Sequence, residues 1–139
     1  LKRLADLLHP AENGDPSAVE CYAPEFLDFL LSVSPAEDQR VYRVGLDLLN
    51  TKARTQFKKA FADLDAKEAD AIVKPLFVPV PWSWAPPKDP GERIIYAANR
   101  DLRTAHRNSR EWADAGLASG KRQPSGQSFL LPVDPTYKG

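Results

Sequence analysis

Between Tyr42 and Phe57 the residues Tyr42, Leu46, Leu49, Ala53 and Phe57 recur at steps of four, three, four and four. That spacing gathers them on one side of a helix, whereas a strand would scatter the same side chains over both of its faces. A long helix is therefore the element around which the rest must fold. Its start is marked by Ser34, Pro35 and Glu37, which read as a capping box with proline at the first helical position.

The pattern repeats on both sides. Leu1, Leu4 and Leu8 share a face of an opening helix that His9-Pro10 stops, because a residue before proline is pushed out of the helical region. Asn13-Gly14-Asp15-Pro16 reads as a turn, and Pro16 or Ser17 opens a short turn through Cys21. Pro24 restarts a helix to about Val33, with Phe26, Leu27, Leu30 and Leu31 as its expected buried face. Asp65 and Glu68 cap a helix that turns Ile72, Leu76 and Phe77 inward, and Pro75 marks where it bends or ends. Asp89 and Glu92 cap another, lined by Ile94, Ala98, Leu102 and Ala105 and running to about Arg107. Asn108-Ser109 interrupts it, and Ser109 caps a last turn around Trp112.

The stretch VPVPWSWAPPKDPG holds Pro79, Pro81, Pro86, Pro87 and Pro90, which excludes a helix or a central strand and leaves an extended crossover. Strand-like alternation is confined to residues 76–80, and no segment repeats. The expected fold is all-α: a single-domain helical bundle over residues 1–115, with an irregular C-terminal tail over 116–139 in which SFLLPV is apolar enough to pack. The expected core includes Leu4, Leu8, Phe26, Leu30, Leu46, Leu49, Phe61, Leu64, Ile72, Ile94 and Leu102.

Chemistry has few carriers here. Zinc needs three or four converging His, Cys or carboxylate ligands. His9 and Glu12 flank a proline turn, Glu20 and Cys21 are adjacent and diverge on a helix, and the only other histidine, His106, is far along the chain. One cysteine builds neither a disulfide nor a paired-thiol motif. There is no glycine-rich phosphate loop, no G-x-S-x-G elbow and no C-x-x-C-H haem motif. Acid pairs such as Asp63 and Asp65 read as caps and surface charge. No catalytic residue, no metal ligand and no cofactor site is expected, and no transmembrane span.

The formal net charge is zero, which argues against nucleic acid as a partner. The charge is nonetheless segregated: −5 over residues 1–40, +2 over 41–87 and +3 over 88–139. Arg100, Arg103, Arg107 and Arg110 fall at steps of three, four and three, with Arg93 one heptad earlier. Such a stripe is either a solvated face balanced by the acidic N-terminal part or a docking surface for an acidic partner. Trp82 and Trp84 have two readings as well, interface anchors or lids over a helical core, with one expected buried and one partly exposed.

Four motifs in order carry a resemblance. They are the Leu-rich opening helix ending at His9-Pro10, the Pro16-x-Ala18 turn before Phe26-Leu27-Asp28, the helix with Tyr42-x-x-Gly45-Leu46, and Phe61-x-x-Leu64 before an acidic cap. Over residues 4–77 the chain resembles the gluconate 2-dehydrogenase subunit 3 family, the small helical subunit of flavin-dependent sugar and polyol dehydrogenases. The resemblance implies a chain without a cofactor of its own that supports assembly, stability or export of an FAD-containing large subunit, with a cytochrome c subunit taking the electrons. It also implies a periplasmic setting and a twin-arginine signal upstream of LKRLADLLHP, a stretch with neither a charged n-region nor an apolar signal core. The partner-binding candidates are Arg93, Arg100, Arg103, Arg107, Arg110, Trp82 and Trp84. The alternative is a stand-alone helical binding module whose arginine-rich face takes an acidic partner or ligand.

Overall fold

A computed structural model describes residues 1–78 and 85–121. Its helices are α1 (Lys2–Leu8), α2 (Ala23–Ser32), α3 (Ala36–Phe57), α4 (Ala66–Val73), α5 (Pro90–Arg107) and α6 (Arg110–Ala118), with 3-10 turns at Phe61–Asp63 and Lys74–Leu76. No strand occurs among the described residues; Glu12 and Asp15 form one isolated bridge. That bridge closes over Asn13 and Gly14, both with positive φ, as expected of a tight Asn-Gly turn. The fold is all-α, and no described helix is long and apolar enough to cross a membrane.

The caps explain where several helices begin. Asp65 and Glu68 form a reciprocal capping box on α4, Asp89 accepts from Gly91 N–H and Glu92 N–H at the head of α5, and Ser109 accepts from Trp112 N–H at the head of α6. Ser17 and Glu20 make a second reciprocal pair that holds the turn before Cys21. Ser34 does not cap α3. Its hydroxyl donates to Leu30 O at 2.7 Å and closes the end of α2, while Pro35 stands at the α3 N-cap without a side-chain bond. The hydroxyl sits between two helices and is spent on the earlier one.

The axis of the bundle is the contact between α3 and α5. Tyr42, Gly45, Leu49 and Ala53 turn inward from α3, and Ile94, Ile95, Ala98 and Leu102 from α5. Gly45 sets their separation, since a Cβ there would lie 2.2 Å from Ile94 Cβ. Helix α2 packs on α5, while α1 and α4 close the other side with Leu4, Leu64, Ile72 and Val73.

Four expected core residues fall short. Leu8 and Leu46 are half-buried at the rim of the core, and Phe26 and Leu30 are exposed. The reason lies in α2: Ala23, Pro24 and Leu27 fill its inward side, which leaves the adjacent apolar residues facing outward. Phe77 is exposed too, because the 3-10 turn at Lys74–Leu76 ends the helix that would have carried it inward. Pro75 sits inside that turn, and α6 continues beyond one turn, to Ala118. Residues 79–84 of the proline-rich crossover, Trp82 and Trp84 among them, and the tail from residue 122 lie outside the described residues.

Candidate docking surface

The arginines separate into two groups. On α5, Arg93, Arg100, Arg103 and Arg107 occupy the side away from Ile94, Ala98 and Leu102, as their spacing predicts. Arg110 is on another helix, the first residue of α6, because α5 ends at Arg107 and Asn108 breaks the register. Its guanidinium pairs with Asp114 one turn on, at 3.3 Å.

The α5 arginines also differ in what they touch. Arg100 grips Asp101 at 2.6 and 3.2 Å, and Asp101 accepts in addition from the Tyr42 hydroxyl at 2.8 Å. Burial, followed by the Asp101 charge, pushes the Tyr42 phenol far above its ordinary value, so it stays protonated and donates. The bond to Asp101 raises the Arg100 guanidinium in turn. Arg93 reaches Glu37 of α3 only at 3.9 Å. Arg103 and Arg107 make no ion pair among the described residues. Of the acidic N-terminal residues only Glu37 reaches this face among the described residues: Glu25 is taken by Lys2 at 2.6 Å, and Glu20 accepts from Ser17 N–H at 2.7 Å.

An apolar row lies beside the arginines. Tyr22, Phe26, Phe29, Leu30 and Val33 are between 44% and 68% exposed along α2. Leu30 and Leu31 line a groove of about 370 Å³ together with Arg93, Tyr96 and Arg100 of α5. The spacing rule missed this row, because it took Phe26 and Leu30 into the buried face of α2 with Leu27 and Leu31 and left Tyr22, Phe29 and Val33 unassigned.

The two histidines, distant in sequence, meet on the flank of α5. Their ring centroids are 5.9 Å apart, and His106 stands edge-on to Trp112 at 4.5 Å. His9 Nε2 contacts Asn99 O at 3.2 Å and His106 Nε2 contacts Pro16 O at 2.8 Å. A carbonyl oxygen only accepts, so each Nε2 carries the proton and donates. Burial lowers the His9 pKa, and His106, Arg103 and Arg107 add to the lowering against the opposing Asn99 carbonyl. Cys21 is buried beside this group, and burial pushes its thiol up, away from thiolate reactivity. Among the described residues no three His, Cys, Asp or Glu side chains converge as a metal site. A backbone carbonyl accepts the Nε2 proton of each ring, so the cluster fastens the loop after α1 onto α5.

No curated protein and no solved structure matches the chain. The family model described as gluconate 2-dehydrogenase subunit 3 matches residues 1–100, from α1 into α5. The matched span contains the His9 loop with its seat at Asn99, the contact of Gly45 with Ile94, and the capped α4. The chain belongs to the gluconate 2-dehydrogenase subunit 3 family.

Proposed function

We propose that the chain is a non-catalytic accessory subunit of a periplasmic, FAD-dependent sugar or polyol dehydrogenase, and that it supports assembly, stability or export of the FAD-containing large subunit. In this reading the chain holds no cofactor, a cytochrome c subunit is a further member of the complex, and a twin-arginine signal precedes the part described. Family membership supplies the complex. The observation that carries the docking role is the outward face of α5, where Arg103 and Arg107 have no carboxylate against them among the described residues. Arginine forks pair bidentately with carboxylates and are frequent interface anchors. This face, with Trp82 and Trp84 contributing from the crossover, meets the large subunit over roughly 1,200–2,000 Å² in total.

The test is a titration of the R103E/R107E double variant against the co-expressed large subunit at two salt concentrations, with a thermal melt alongside. The expected result is an unchanged melt, association weakened by about 2–5 kcal/mol, and a smaller dependence on salt. Normal binding by the variant would remove α5 from the interface.

A further inference from the structure

Helix α2 is apolar over more of its circumference than a single contact uses. Ala23, Pro24 and Leu27 enter the core with Leu31 half-buried beside them, and Glu25, Asp28 and Ser32 form a polar edge. On the remaining side Tyr22, Phe26, Phe29 and Val33 follow at steps of four, three and four, and Leu30 lies between this row and the groove. Scattered exposed apolar residues are ordinary, but a contiguous row with three aromatic rings marks an interaction surface.

We propose that this row is a docking face for the FAD-containing large subunit, on a part of it that offers an apolar hollow bordered by carboxylates; the inference rests on the subunit reading above. The groove identifies the occupant. Leu30 and Leu31 share it with Arg93, Tyr96 and Arg100 and with Asp38 and Asp101. Tyr96 and Arg100 also line the neighbouring hollow that holds Arg103 and Arg107, so a partner seated on α2 reaches those two arginines of α5 by way of Tyr96 and Arg100. Five side chains alone fall short of the roughly 800 Å² per partner that a stable complex buries. A partner must therefore take the adjoining arginine face as well, and only a surface with both apolar and acidic groups fits the two together. Aromatic anchors bordered by arginine are also the composition enriched at specific interfaces.

The experiment compares the full chain, F26S/F29S and R103E/R107E for co-purification with the co-expressed large subunit, with sedimentation of the chain alone over a range of concentrations and a thermal melt of each. F26S/F29S is expected to weaken the complex roughly tenfold or more while the melt stays unchanged and the free chain stays monomeric. If that variant melts early, Phe29→Ser and Val33→Ser singly, at the two most exposed positions, carry the same test. Normal binding by the apolar variants together with loss in R103E/R107E overturns the inference and leaves the subunit reading standing. A concentration-dependent dimer that F26S/F29S abolishes, with the complex intact, assigns the row to a second copy and also overturns it. If the unaltered chain fails to co-purify, the subunit reading falls and the inference with it.

Discussion

A methyl group at Gly45 has nowhere to go: the atom it meets is Ile94 Cβ, held close to the α5 backbone, rather than the loose end of a side chain. Overpacking costs about 1–3 kcal/mol, and the better helix propensity of alanine returns about 1 kcal/mol. Gly45→Ala should therefore lose about 1 kcal/mol, and no more than about 2, in a denaturant melt, and an unchanged midpoint would mean that α3 and α5 are further apart. Tyr42 and Gly45 could be picked out in the sequence as a motif, but the physical content of the motif needed Asp101 and Ile94, about fifty positions away. His9 makes a second prediction at this scale. Its folded pKa is below the ordinary 6.5, so in that window the unfolded chain binds the proton more readily. Stability is then full above about pH 6.5, declines as the pH falls through the lowered pKa, and levels below it. Unfolding free energies between about pH 5 and 7.5 should show this slope, and His9→Gln, which keeps a donor for Asn99, should flatten it.

At the scale of elements, α3, α4 and α5 were legible because each has a single apolar stripe and most have a side-chain cap. Leu49 is fully buried and Leu46 only half so, although both belong to the stripe of α3. Leu49→Ala should cost about 2–5 kcal/mol and Leu46→Ala clearly less, and denaturant melts of the two variants would show a reversed order if Leu46 were the inner residue. Helix α2 was legible as a helix but not in its orientation. Periodicity selects a face only when the other faces are polar, and α2 offers two apolar faces against one narrow polar edge. The arginine face was read correctly as outward on α5, yet the register could not show that Asn108 hands Arg110 to a different helix. The meeting of His9 with His106 left no local signal, since each sits in an ordinary turn or helix end.

Across the molecule, the segregation of charge along the sequence produces few ion pairs among the described residues. Acid from the first forty residues meets base from the last third in Glu37–Arg93 at 3.9 Å and Asp15–Lys121 at 3.4 Å. Loose, partly exposed pairs of this kind contribute about 0–1 kcal/mol each, so the melt of the isolated chain should move little between low and high salt even where association does. A large loss of stability in salt would mean that charge attraction, and not the α3–α5 core, holds the ends together. The histidine fastenings bear on how the chain comes into being. His9 to Asn99 and His106 to Pro16 each join residues ninety positions apart. A ribosome releases the opening helix and its loop long before Asn99 and His106 exist, so during synthesis that segment waits without its seat while the later helices are still being made. Proteolysis of stalled chains should find residues 9–22 open to cleavage until α5 has emerged, and closed soon after.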